Sequence, residues 1–120
     1  MRNLYFIRHG DVEMPGGQRR CVGASDYPLS ALGRLRAVLL APGFESRELG
    51  EVFVSPLSRA RETAELMGAR GVALPGLREA GMGEWDGLTF EEIRERWPEL
   101  FARRGKELWL LPPGAEEAAE

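Results

Sequence analysis

Apolar and polar positions fall in blocks along this chain, and the period changes from block to block. Leu4-Tyr5-Phe6-Ile7 is a continuous apolar run that stops at Arg8-His9-Gly10, which predicts a buried strand over residues 3–7. Residues 11–28 have no helical period and carry Pro15, Gly16, Gly17, Gly23 and Pro28, which predicts a long loop of the kind that carries function in compact domains. Leu32, Leu35, Val38 and Leu39 recur at helical spacing. They predict a helix capped by Ser30, running to about Ala41 and stopped by Pro42-Gly43. Residues 51–54 read as a second short strand. Ser55 and Pro56 then supply a cap and a first helical residue, and Leu57, Ala60, Ala64 and Met67 form the stripe of the next helix, with Gly68 and Gly71 at its end. Residues 72–74 predict a third strand. Residues 75–88 are glycine-rich and irregular. Thr89 and Glu92 form a capping-box pattern that opens a helix ending before Pro98. A short helix follows to Arg104, Pro112-Pro113-Gly114 is a break, and residues 115–120 read as the first turn of another helix.

The order strand, helix, strand, helix, strand, then helices predicts an α/β fold, a three-layer α/β/α arrangement with a mostly parallel sheet. There is no internal repeat and no composition break, so residues 1–120 are expected to form a single domain. At 120 residues, 43% hydrophobic and 29% charged, the chain can bury a real core. Its longest apolar run in the body, Ala37 to Ala41, is far too short to cross a bilayer. The beginning of the chain does not read as a signal peptide, so no membrane partner and a cytoplasmic setting are expected. Cys21 is the sole cysteine, which excludes an intrachain disulfide and a cysteine-based zinc site. A net charge of −3 gives no support to nucleic-acid binding. Arginines crowd the first half, and only Lys106 is lysine. That bias suits phosphate binding, but a GC-rich genome produces it equally well.

Four segments carry candidate chemistry. In Arg8-His9-Gly10 an imidazole stands where an α/β fold presents reactive groups, at the carboxyl end of a strand. A neutral imidazole can attack phosphorus, giving a phosphohistidine, while the adjacent guanidinium holds phosphoryl oxygens. The same tripeptide also fits a histidine simply packed at a strand end. In Ser55-Pro56-Leu57-Ser58-Arg59-Ala60-Arg61 a strand gives way to a helix whose first amides suit an anion; Arg59 is the better phosphate ligand, and Arg61 reads as a surface residue pairing with Glu65. Residues 77–88 offer a carboxyl group able to protonate a leaving alkoxide and later activate water. Within that segment Glu84 and Asp86 also read as an acidic surface loop. Residues 25–33 read as a turn followed by a helix cap.

Together these segments closely resemble the histidine phosphatase superfamily, the phosphoglycerate mutase-like proteins. The resemblance covers nearly the whole chain: Arg8-His9-Gly10, Pro28-Leu29-Ser30 with Gly33, Ser55 to Ala60 with Thr63-Ala64, Leu77-Arg78-Glu79, Gly83 to Gly87, and Pro112-Pro113-Gly114. It implies that His9 is the phosphorylated nucleophile, Arg8 and Arg59 bind the phosphoryl group, and Glu79 is the proton donor. It implies a small phosphorylated substrate and no metal or organic cofactor, and it leaves an oligomer open.

Two departures shape the expectation. The family carries a second active-site histidine in a Ser/Thr-His-Gly-Gly-like segment downstream of the Pro-Pro-Gly element, whereas this sequence contains only His9. That predicts a chain lacking the C-terminal portion of the family's domain, and with it a strand beside the first one, so that apolar surface and a sheet edge are uncovered. Asp11-Val12-Glu13 and Arg19-Arg20-Cys21-Val22-Gly23 also replace the loop residues by which mutases hold a sugar-acid phosphate. The expected activity is therefore a phosphomonoesterase, resembling the small α-ribazole phosphate phosphatases of cobalamin synthesis. A mutase and a catalytically silent phosphate-binding module are the alternatives. Cys21 is expected to be a small buried or loop residue rather than a reactive thiol.

Overall fold

The structure is a computed structural model that describes residues 2–116. The end of the last expected helix, residues 117–120, lies outside the described residues. The chain forms two compact units. One runs from the N-terminal end to Glu13 and over Asp26–Arg78; the other covers Met14–Ser25 and continues from Glu79.

The first unit contains α1 (Ala31–Glu45), β1 (Phe53–Val54), α2 (Ser58–Leu66) and β2 (Val72–Ala73). β1 and β2 pair in parallel, Phe53 opposite Val72 and Val54 opposite Ala73. The Val72 N–H to Val52 O and Leu74 N–H to Val54 O bonds, each 2.9 Å, flank the pair. Parallel neighbours need a crossover, and α2 supplies it. The α/β class and the parallel pairing are those the sequence predicts. α1 starts as expected, with the Ser30 Oγ accepting the Gly33 N–H at 3.1 Å.

Three expectations need correction in this unit. Residues 3–7 are not a strand and are not buried: Leu4, Tyr5, Phe6 and Ile7 are all exposed, Phe6 to 90%. An apolar run becomes a strand only if another strand satisfies its backbone, and among the described residues none pairs with it. Second, α1 does not stop at Pro42-Gly43 but continues to Glu45; proline's fixed φ is itself helical, and its lost donor and ring clash fall in the last turns without ending the helix. Along this helix the row Leu32, Leu35, Val38 and Leu39 is exposed, and the buried positions are Gly33 and Ala37. The close approach is made where the side chains are smallest. Third, α2 begins at Ser58 rather than at Ser55-Pro56. Asp26, from the preceding loop, provides its cap: Oδ1 accepts both the Ser58 N–H and the Ser58 hydroxyl at 2.7 Å. The buried face of α2 with its two flanking residues is Leu57, Arg59, Thr63 and Met67, while Ala60 and Ala64 are half-buried.

The second unit contains α3 (Phe90–Arg96) and α4 (Pro98–Arg104). The capping box is formed as the sequence predicts, Thr89 Oγ1 accepting the Glu92 N–H and the Glu92 carboxylate accepting the Thr89 N–H. The core is Cys21, Trp85 and Ile93, with Met82, Leu88, Trp97, Leu100 and Phe101 packed on it. Trp85 meets Trp97 and Phe101 with ring centroids 6.4 Å and 6.1 Å apart, the tilted spacing that aromatic quadrupoles favour.

Candidate active site

The residue after His9 is held from two directions within the first unit. Gly10 lies against the first turn of α1: a Cβ added there would stand 2.7 Å from the Gly33 carbonyl oxygen. Its N–H donates to the Thr63 Oγ1 of α2 at 3.1 Å, and that hydroxyl donates in turn to the Arg59 carbonyl at 2.7 Å. The turn after the histidine is thus tied to the helix turn that carries Arg59. His9 itself places Nδ1 2.7 Å from the Gly10 carbonyl oxygen. A carbonyl can only accept, so the bond requires a proton on Nδ1, and in the neutral ring the lone pair is then on Nε2.

Arg8, His9 and Arg59 all belong to this unit. Arg8 is exposed, His9 half-buried, and Arg59 only 2% exposed. A guanidinium held that far from water needs opposite charge or strong acceptors. Arg61, two residues on, is exposed. Nearby, the Ser58 hydroxyl and then its N–H hold the Asp26 carboxyl below the usual carboxylate range, and the charges of Arg59 and Arg61 act in the same sense.

Glu79 opens the second stretch of the second unit and is exposed. The segment that follows it is fixed by Asp86. One Asp86 oxygen accepts the Gly23 N–H at 2.8 Å and the Ser25 hydroxyl at 2.7 Å; the other accepts the Ala24 and Met82 N–H groups, each at 3.1 Å. Burial pushes this carboxyl up, but the four hydrogen bonds outweigh it and hold it below its ordinary value. Asp86 therefore joins the loop of residues 23–25 to the strip that follows Glu79. Gly23 completes the fit, since a Cβ there would meet the Ala80 carbonyl oxygen at 2.6 Å. Arg20 adds a bond from Nη1 to the Gly87 carbonyl at 2.9 Å.

Asp86 is not the surface carboxylate that its acidic, glycine-rich setting also allowed. Three of its four donors lie 62, 63 and 61 residues away in sequence, so no local pattern marks it. Thr63 was missed for a similar reason, although its spacing of four from Arg59 and from Met67 places all three on one helix face. Cys21 is buried, and burial foremost, with the Asp86 charge second, raises its thiol above the ordinary value against the opposing pull of Arg104. That fits a structural residue. Among the described residues there is no group of three or more His, Cys, Asp or Glu side chains arranged to hold a metal ion, and no helix is long and apolar enough to cross a membrane.

Across both units the sequence matches the histidine phosphatase superfamily (branch 1) over residues 4–120, and the chain belongs to that superfamily. Among its relatives, the bifunctional protein Rv2228c of Mycobacterium tuberculosis is 40% identical over 120 residues, covering 94% of this chain and 32% of the relative. The probable phosphoglycerate mutase GpmB of Photorhabdus laumondii is 37% identical over 106 residues, covering 81% of this chain and 48% of the relative. The mycobacterial glucosyl-3-phosphoglycerate phosphatase Rv2419c, solved with inorganic phosphate, superposes with a TM-score of 0.71 at 30% identity, covering 91% of this chain and 52% of that one. The chain therefore spans between about a third and about half of the length of these relatives. Both a phosphatase and a probable mutase stand among them.

Proposed function

We propose that this chain carries the phosphoryl-transfer half-site of a phosphomonoesterase acting on a small phosphorylated metabolite. His9 Nε2 attacks phosphorus, a P–N bond forms, and the ester P–O bond breaks. Glu79 gives its proton to the leaving oxygen. Water then attacks the phosphohistidine, Glu79 takes the proton of that water, and inorganic phosphate leaves with His9 restored. Arg8 and Arg59 offset the charge on the transferring group. The observation that carries this reading is the 2.7 Å bond from His9 Nδ1 to the Gly10 carbonyl, which directs the free lone pair to the other ring nitrogen. The two units are read as parts of one domain because the family match runs through both. The proposed setting is the cytoplasm, without a membrane or nucleic-acid partner.

Phosphate release from an aryl phosphate by the purified chain, beside its His9→Ala variant, tests the reading. The expected result is turnover that falls by about 1,000-fold or more in the variant. Turnover retained by His9→Ala removes the nucleophile from the proposal. α-Ribazole phosphate belongs in the substrate panel as one ester of the proposed class. A second reading, return of the phosphoryl group to a substrate hydroxyl, is favoured by the identity with GpmB; isomerisation of phosphoglycerate without net phosphate release decides for it. A silent phosphate-binding module is favoured by the single histidine, and saturable phosphate binding without turnover decides for that.

A further inference from the structure

We infer that Thr63 is a positioning residue for the nucleophile. The inference rests on the reading of His9 given above. Thr63 lies in the middle of α2 and is 4% exposed. A threonine inside a helix ordinarily gives its hydroxyl proton to the carbonyl four residues back, and this one does so to Arg59 at 2.7 Å. That bond uses the hydroxyl's one proton and leaves its lone pairs to accept. One is used: the Gly10 N–H donates to Thr63 Oγ1 at 3.1 Å, across 53 residues of sequence.

The direction of the bonds gives the residue its role. With its proton committed to Arg59, the hydroxyl is locked as an acceptor toward Gly10. Gly10 also carries the carbonyl that receives His9 Nδ1, so the Thr63 contact and the contact that selects the imidazole tautomer are made by the N–H and the C=O of one residue. On the other side the Gly33 backbone leaves Gly10 no room for even a methyl group. Gly10 is therefore seated against α1 by contact and fastened to α2 by a single hydroxyl. Thr63 sets the register between the His9 turn and the helix turn bearing Arg59, and through Gly10 it favours the ring form whose lone pair is on Nε2. Valine has the same shape without the acceptor; serine keeps the acceptor without the methyl.

The test compares wild type, Thr63→Val and Thr63→Ser by nuclear magnetic resonance, using the Gly10 amide exchange rate and the His9 ring nitrogen shifts. It needs no turnover. The wild type is expected to show a protected Gly10 amide and an Nδ1–H tautomer. Thr63→Val is expected to speed Gly10 exchange by about tenfold or more and to shift the ring toward a mixture of tautomers, while Thr63→Ser keeps both properties. Where turnover is measured, valine should lower kcat about tenfold or more with KM changed less than about threefold. An unprotected Gly10 amide in the wild type overturns the inference, as does an unchanged amide and tautomer in Thr63→Val. If the valine variant fails to fold, loss of Gly10 protection in Thr63→Ser does the same. Failure of the His9 reading is separate: turnover surviving in His9→Ala, with Gly10 exchange still responding to Thr63, removes the nucleophile and leaves the contact standing.

Discussion

Gly10 is held by neutral groups: a threonine hydroxyl at 3.1 Å and the backbone of Gly33, across a gap too small for a methyl. Asp86 holds its own loop as an ion that accepts four hydrogen bonds of 2.7 to 3.1 Å. Both devices fix a segment next to a proposed catalytic residue, His9 in the first unit and Glu79 in the second. They fail differently. The neutral clamp depends on volume and is blind to pH as long as its groups do not titrate. The ionic clamp tolerates little change of charge, and its strength follows the protonation of one carboxyl.

Gly33→Ala should break the first device with the largest effect. The added Cβ would stand 2.2 Å from the Asp11 carbonyl oxygen and 2.8 Å from its nitrogen, and backbone atoms cannot swing aside. Overpacking of this kind costs about 3 kcal/mol. It should appear as lost amide-exchange protection across the first unit, by a similar amount at pH 4 and pH 7. Asp86→Asn should cost the second unit about 2 kcal/mol at pH 7, since hydrogen bonds to a charged acceptor are worth more than those to an amide. All 3 tryptophans lie at or beyond Trp85, so tryptophan fluorescence in urea reads this unit.

The pH dependence of that loss follows from the direction of the shift. The folded carboxyl lies below its ordinary 3.8, so the unfolded chain binds the proton more readily. The stabilisation is complete above that ordinary value and disappears as pH falls through the folded one. The gap between Asp86→Asn and wild type should therefore close below about pH 4; a constant gap there would sink the ionic account of the clamp. Thr89→Ala should have the smallest effect, about 1 kcal/mol, because it removes one half of the α3 capping box. Measured by the same fluorescence, it should leave the Asp86 effect additive. Strong coupling between the two would mean that the second unit is fastened as one network instead of by a separate clamp.

What could be read from the sequence was what neighbouring residues decide among themselves. Ser30 with Gly33, and Thr89 with Glu92, cap helices within a few residues of themselves, and both caps are formed. The parallel β1–α2–β2 unit follows from two apolar runs separated by a helical one. What failed depended on a distant partner. Leu4 to Ile7 has the composition of a strand, but composition cannot supply the second chain segment that makes it one. The apolar row of α1 marks the helix but is outside, because an amphipathic face is buried only where something covers it. The start of α2 was placed at Ser55 by local chemistry, while the cap that forms comes from Asp26, 32 residues before Ser58. At the candidate site His9 and Arg59 stood out as residue types, whereas Thr63 and Asp86 do work that only the fold assigns to them.

The packing of Gly10 on Gly33, and of Gly33 on Asp11, also has a meaning for the history of this sequence. At each glycine the space of the absent side chain is occupied by main chain: that of Gly33 at Gly10, and that of Asp11 at Gly33. Every replacement at either position adds at least one carbon, so neither has a neutral first step in sequence space. A compensating second change cannot help, because the obstacle is main chain that every residue type shares. Drift can rewrite the exposed row of α1 around this point, but the junction itself can be inherited or lost and not gradually altered.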